Sequence, residues 1–339
     1  MRTPHSLQFL CCCLAAAAPL PSGIAQTLTG TGTITLEDTT ATNPPSGSAQ
    51  TASATSQQQK VPDRKKQFQD EIARCTSIIE KPGLPAGQRA AALCDRGILH
   101  ERSDNIAEAL ADFSTVIVMT TGPALTDKAI ALISRGGIYD KTGERQNALA
   151  DYSAAIALPG IRDDMKATAL FARATLYADA EKKAEAHSDY TAITTLPQAT
   201  VEQKATALLA QSVLHERAGD TDKALVAYTA ILELEYAPAA AKKAALLGRG
   251  CAYDRTGEQK KAIADFSILI ATPDIDAQSQ ALALFYRGAA YEKNGDIPNA
   301  LVNYSFASSL PGVPDEVKIQ ADEAAKKLIK KARPEKKVP

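Results

Sequence analysis

Arginine returns at a regular interval along most of the chain, and its guanidinium group is well suited to binding anions. The arginines follow one another at intervals of 38 or 39 residues, with Gln211 in the slot where another is due, at Arg96, Arg135, Arg173, Arg249 and Arg287. Sixteen residues after four of them comes an aspartate, at Asp112, Asp151, Asp189 and Asp265. Ala227 stands at the same distance after Gln211. Because arginine and aspartate are lost together, we favour internal Arg–Asp pairs. The alternative is a basic stripe that binds an acidic ligand.

Histidine and cysteine are frequent metal ligands and catalytic groups, and here they are sparse. The sequence LHER occurs twice, and its histidines, His100 and His215, occupy a slot that elsewhere holds tyrosine. His187 stands alone in the sequence. None of the three has a second histidine at helical spacing, and no serine or cysteine has the surroundings of a nucleophile. The sequence therefore predicts no catalytic residue, no metal site, no cofactor and a non-enzymatic protein.

The cysteines divide into two groups. Three of the six, at positions 11–13, lie in an apolar N-terminal run, and Cys75, Cys94 and Cys251 lie further on. We expect Cys75 and Cys94 on neighbouring helices, so a disulfide between them could form in an oxidising compartment.

The elements that position these residues follow from an internal repeat of 38 residues. A small residue, which we call the anchor residue, recurs at Gly97, Gly136, Ala174, Ser212, Gly250 and Gly288. A leucine stands four residues before each anchor, tyrosine or histidine three after it, and an aromatic residue sixteen after it. Leucine, anchor and tyrosine share one face of a first helix, and the aromatic residue lies on a second helix that a proline ends. Each repeat is therefore a helical hairpin, and hairpins must stack to cover their apolar faces.

This pattern resembles the tetratricopeptide repeat, whose small residue, tyrosine, alanine, aromatic residue and proline are all seen at Gly250, Tyr253, Ala262, Phe266 and Pro273. The resemblance implies an all-α, right-handed α-solenoid that binds a protein or peptide along a concave face lined by the first helices. The unit of 38 residues is longer than the family's usual one of about 34. We therefore expect a first helix about one turn longer. The related Sel1-like repeat has a glycine-rich loop that this sequence lacks.

The predicted concave face gives the candidate partner-binding residues. Apolar or small candidates come from positions near each anchor: Ile133, Phe171, Thr175, Leu209, Val213, Leu247 and Phe285. Basic candidates five residues after the anchor form a rim: Arg217, Arg255 and Lys293. An apolar floor with a charged rim suits an extended or helical peptide. The alternative is that the apolar residues seal neighbouring repeats against each other.

The chain divides into five segments by composition. Residues 1–25 have the pattern of a signal peptide, 26–62 form a disordered Thr/Ser/Gln/Pro-rich linker, and 63–314 hold a half repeat and six repeats. Residues 315–333 are predicted as a capping helix and 334–339 as a basic tail. We interpret the chain as an exported scaffold, with a bacterial periplasm as the favoured compartment and an envelope assembly as its setting. The alternatives are a self-associating rod, or an enzyme or regulatory subunit with an unrecognised site.

Charge and hydropathy restrict the partners further. The formal net charge is −1, so the chain has no excess of basic residues for binding nucleic acid. No segment of the mature chain is apolar enough to span a membrane.

Overall fold

A computed structural model describes residues 64–332, which form fourteen α-helices and no strand. The predicted signal peptide at 1–25, the predicted linker at 26–62 and the predicted tail at 334–339 lie outside these residues. None of the fourteen helices is long and apolar enough to cross a bilayer.

The helices belong to two compact units that divide after residue 161. The first unit contains α1 (Arg64–Ile79), α2 (Ala86–Arg102), α3 (Ile106–Val118), α4 (Leu125–Lys141) and α5 (Arg145–Ile156). The second contains α6 (Asp163–Asp179), α7 (Lys183–Thr195), α8 (Val201–Ala218), α9 (Thr221–Glu233), α10 (Ala239–Thr256), α11 (Gln259–Ile270), α12 (Ala277–Lys293), α13 (Ile297–Ser309) and α14 (Asp315–Ala332).

The helices pair into hairpins as the repeat predicts. The first helices, α2, α4, α6, α8, α10 and α12, have 17 or 18 residues, and the second helices that follow them have 12 or 13. The turn within each hairpin passes through a left-handed residue seven positions after the anchor. Glycine takes this position four times, as at Gly257 with φ 85°, but Asp104 and Glu181 also adopt it, with φ 63° and 59°.

The anchor residue lies where the two helices of a hairpin cross. A Cβ atom added to Gly136 would lie 2.8 Å from the ring of Tyr152, and one added to Gly250 would lie 2.6 Å from the ring of Phe266. Both rings are almost fully buried. The aromatic side chain therefore fills the space that a larger anchor would need.

In the α8–α9 hairpin, the aromatic ring also packs against the next first helix. Its anchor is Ser212, which has a Cβ, and its aromatic residue is Tyr228. The ring of Tyr228 lies directly against the backbone of Gly248 on α10, where a side chain would clash with it. The aromatic ring of this hairpin therefore needs a second small residue, on the next first helix, in addition to its own anchor.

Within each unit, successive first helices also contact one another. These contacts join α2 to α4 in the first unit and run from α6 through α8, α10 and α12 to α14 in the second. Successive second helices make no comparable contact in the part of the chain that the structure describes. The first helices are therefore on the inner side of each unit, which we call the first-helix face.

The helix α14 occupies the place of a first helix in a further repeat. It packs on α13 and α12, and its buried Leu328 contacts Ala300 and Tyr304. Asp322 and Lys326 stand where the other first helices have leucine and the anchor residue, and both are exposed. The last hairpin is thus covered by a helix that presents charged residues to solvent.

Candidate partner-binding face

The structure brings together all four arginines and aspartates that were expected to pair. In each pair, Nε and Nη2 of arginine donate to the two carboxylate oxygens of aspartate over 2.7–2.8 Å. The arginine side chains are 18–21% exposed and the aspartates 5–8%. Each pair joins the first helix of a hairpin to its second helix, at the level of the anchor residue.

The arginines have further partners beyond the hairpin. Nη1 of Arg249 donates to the hydroxyl of Thr229 on the preceding second helix over 3.1 Å, and Arg96 makes the same contact with Thr76. The guanidinium of Arg249 also lies 5.8 Å from the ring centre of Tyr253. These internal contacts leave little of the guanidinium for an acidic ligand, which opposes the interpretation of the arginines as a basic binding stripe.

The sixth hairpin shows how the pair depends on the aspartate. Arg287 meets Asn303 there, and only one hydrogen bond, from Nε to Oδ1 over 2.8 Å, joins them. The hydrogen bond to Asp265 raises the pKa of Arg249, whereas burial lowers the pKa of Arg287. An amide therefore stabilises the buried charge less than a carboxylate does.

Most of the expected apolar floor is not accessible. Ile133, Leu209, Val213 and Leu247 are only 6–7% exposed. Leu209 packs with Tyr228 and Leu247 packs with Phe266 in the core between helices. The expectation of an open floor fails at these four positions, because the side chains are covered by the packed helices.

The accessible part of the first-helix face is smaller and more polar than expected. Thr175 is exposed, and Phe171 is half-buried with its ring 5.4 Å from that of Tyr190. Phe285 is also half-buried, but α14 packs against it. Thr175 and Phe171 are therefore the floor candidates that another molecule can reach.

The expected basic rim is largely neutralised by acidic residues of the preceding hairpin. Arg255 pairs with Glu216, and Lys293 pairs with Asp254 over 2.5 Å. Lys141 and Glu101 make the equivalent pair in the first unit, over 2.6 Å. The rim is thus a row of alternating charge, with Arg217 exposed beside it.

Cys75 and Cys94 are free thiols, so the disulfide that the sequence allowed is absent from this structure. Cys94 is buried on α2, and its Sγ donates to the backbone carbonyl of Asp127, in the first turn of α4, over 3.4 Å. Burial raises the pKa of Cys94, which keeps the thiol protonated.

The histidines give the main result that the sequence did not predict. His187 is not alone: its ring centre lies 5.0 Å from that of His215, in an edge-to-face arrangement. One signal was available, because His187 occupies a slot that holds leucine or isoleucine in the other repeats. Among residues 64–332, no three His, Cys, Asp or Glu side chains are grouped closely enough to hold a metal ion.

The chain is similar in arrangement to several solved helical repeat structures. A tetratricopeptide repeat protein from Parabacteroides merdae matches with 20% identity and a TM-score of 0.41, over 78% of this chain and 99% of that one. The Cut9–Hcn1 hetero-tetramer of the APC/C matches with 14% identity and a TM-score of 0.45, over 77% and 46%. Yeast Tom70 matches with 16% identity and a TM-score of 0.34, over 80% and 59%.

No protein-family model and no curated protein sequence matches the chain. The assignment therefore depends on the chain's own features, which are the fixed spacing of anchor, tyrosine, alanine and aromatic residue and the crossing of two helices at the anchor. These features make the described residues an all-α array of helical hairpins with a unit of 38 residues, whose spacing resembles that of the tetratricopeptide repeat.

Proposed function

We propose that this protein is a non-enzymatic scaffold that binds a segment of another protein along the first-helix face of its second unit. The observation that carries the proposal is the side-by-side contact of α6, α8, α10 and α12, which makes their accessible side chains one continuous surface. Thr175 and Arg217 are exposed on these helices, and Phe171 offers part of an aromatic ring. A polar surface with one apolar contact point suits an extended or helical peptide segment.

The charges on this face favour a partner segment that carries both signs. Glu216 and Asp254 alternate with Arg255 and Lys293 along the face, and each acid is already paired with a base. A strongly acidic or strongly basic partner would have to disrupt these pairs to gain new ones. We therefore expect a modest dependence of binding on salt concentration.

Export from the cytoplasm to an envelope compartment belongs to the same proposal. Its support is the sequence of residues 1–25, where Arg2 and His5 precede an apolar run that ends in small residues. Cell fractionation and N-terminal sequencing of the mature protein test it, with Gln26 as the expected first residue. A mature protein that keeps residues 1–25 and stays in the cytoplasm would contradict it.

The self-associating rod remains the alternative. Stacking of one copy on the next would require an apolar surface at the end of the array. The charged Asp322 and Lys326 of α14 stand where such a surface would need leucine and a small residue. This observation favours the scaffold over the rod.

Photo-crosslinking of the full chain in its native envelope tests the scaffold directly. A photoreactive residue is placed at Thr175 or Arg217 on the first-helix face, and at Lys260, exposed on α11, as the control. We expect one discrete adduct from the first two positions and none from the third.

T175R should weaken capture of the same partner, whereas V226R, at a position 70% exposed on α9, should not. Equal labelling at all three positions would contradict the proposal.

A further inference from the structure

The contact between α7 and α8 differs from every comparable contact in its second unit. Four residues depart from the repeat there: His187 replaces an aliphatic residue, Gln211 replaces arginine, His215 replaces tyrosine and Ala227 replaces the paired aspartate or asparagine. The first three meet at one place, which we call the α7–α8 joint and define as His187 and Thr191 of α7 with Gln211 and His215 of α8. This joint therefore has two imidazoles where the equivalent contacts of the unit have an aliphatic residue and a tyrosine.

The hydrogen bonds of the joint centre on the side-chain amide of Gln211. The hydroxyl of Thr191 donates to the carbonyl of His187 over 2.8 Å, so it accepts from Nε2 of Gln211, which lies 2.7 Å away. The same amide nitrogen lies 3.5 Å from Nδ1 of His187. This nitrogen can accept from the amide only when it carries no proton of its own.

The surrounding charges give little compensation for added positive charge. Asp189 of α7 is bound by Arg173 of α6, and Glu216 of α8 is bound by Arg255 of α10. Near His215, Asp220 at the start of α9 forms an ion pair with Lys223 over 3.1 Å. Asp220 offsets part of a positive charge on His215, and Lys223 opposes that effect.

We propose that the α7–α8 joint is a pH-sensitive contact of the repeat array: protonation of His187 and His215 weakens the packing of α7 on α8 and opens the array there. Two positive rings 5.0 Å apart would repel each other, and the donor contact of Gln211 would be lost. In the α10–α11 hairpin, the hydrogen bond to Asp265 raises the pKa of Arg249, which stays charged over the same range of pH.

The direction of the effect follows from the linkage of protonation to stability. Burial, His187 and Lys223, in that order, lower the pKa of His215 in the folded chain. In the unfolded chain the same histidine takes up a proton at a pH of about 6.5. The unfolded or opened state therefore binds more protons as the pH falls through that value, and stability is lost on the acidic side. Above about pH 7 both states are neutral at this residue and no penalty exists.

Hydrogen exchange of the full chain, corrected for the intrinsic exchange rate, measures the opening at this joint. Between about pH 7.5 and pH 5.5, we expect protection of the α7 and α8 amides to fall up to about tenfold, the limit for one histidine that takes up a proton at about pH 6.5 only on opening. The amides of α10 and α11 serve as the internal reference and should lose much less. The variant H187L/H215Y introduces the residue types that the other repeats have at these slots. It should abolish the difference in lost protection between α7–α8 and α10–α11. The variant H100Y, at the same slot of a repeat without a neighbouring histidine, should leave it unchanged.

A titration of the imidazole signals by NMR gives a second test that does not depend on the double variant. In H187L, the midpoint of His215 should move upward, because a neighbouring positive charge has been removed. H100Y should leave that midpoint in place. An unmoved His215 midpoint in H187L would overturn the proposal. So would a loss of α7 and α8 protection at low pH that persists in H187L/H215Y. A wild-type loss in α7 and α8 that is no larger than the loss in α10 and α11 would overturn it as well.

Discussion

At the scale of single residues, the arginine that precedes each anchor is better explained by structure than by ligand binding. Arg249 is bound to Asp265 by two hydrogen bonds and to Thr229 by a third, so one side chain links three helices. A buried charge of this kind adds little net stability compared with an apolar pair, but it is costly to leave alone. Its loss in the α8–α9 hairpin involved both partners, Gln211 and Ala227.

The first prediction uses this natural replacement as a double-mutant cycle. D265A should lower the free energy of unfolding by roughly 3 kcal/mol, because it leaves the guanidinium of Arg249 buried and unpaired. R249Q/D265A reproduces the combination found at Gln211 and Ala227, and its cost should be smaller than the sum of the single changes by at least about 1 kcal/mol. Urea denaturation measures the free energy of unfolding of R249Q, D265A and R249Q/D265A.

The control is a change at an exposed ion pair. K183Q removes the partner of Glu181, and both side chains are at least half exposed. Its effect should stay within about 0.5 kcal/mol. Additive effects of R249Q and D265A would show that the pair contributes no coupling.

At the scale of helices, the crossing distance of each hairpin is set by the anchor residue and the ring that covers it. The two adjacent glycines of α4 separate this effect from ordinary helix propensity. A Cβ at Gly136 would lie 2.8 Å from the ring of Tyr152, whereas a Cβ at Gly137 would meet nothing closer than the Tyr152 hydroxyl at 3.8 Å. Only the first position is thus limited by packing.

The second prediction therefore compares these two glycines. G136A should destabilise the protein by about 1–3 kcal/mol, because the buried ring has to move. G137A should be neutral or stabilising by up to about 1 kcal/mol, because alanine favours the helix over glycine. Thermal unfolding followed by circular dichroism measures both. Equal effects of the two changes would show that the anchor is not the point of closest approach.

At the scale of the whole molecule, an array of stacked hairpins needs a polar surface at its end, so that a second copy does not stack on it. The helix α14 ends the second unit: it buries Val317, Ala321 and Leu328 against the last hairpin. Its other side carries the exposed Ile319 and Ile329, with Asp322 and Lys326 between them. These two charges interrupt what would otherwise be an apolar stripe at the end of the array.

The third prediction is that removing these two charges makes the protein self-associate through α14. D322L/K326A restores a leucine and a small residue at the slots that the other repeats use for packing. We expect the mass of the variant in analytical ultracentrifugation to rise with concentration, whereas the wild-type mass stays constant. A wild-type mass that already rises with concentration would favour the self-associating rod over the scaffold.

The sequence alone was sufficient for the contacts within a hairpin. The spacing predicted the hairpin in which Gly250 and Phe266 meet, and the paired loss of arginine and aspartate at Gln211 and Ala227 predicted the ion pairs elsewhere. Such contacts are predictable because a short turn joins the two helices and leaves them one way to face each other. The expected order of first and second helices followed from the same regularity.

Contacts between successive hairpins were decided only by the tertiary structure. The spacing of residues gives no measure of the rotation from one hairpin to the next, and that rotation determines which side chains are covered. It buries Leu209 and Val213, which the sequence placed on an accessible floor, and it brings His187 of one hairpin to His215 of the next. The sequence thus determined the repeating hairpin and its internal pairs, whereas the packing of hairpin on hairpin decided which residues remain free to bind and which respond to pH.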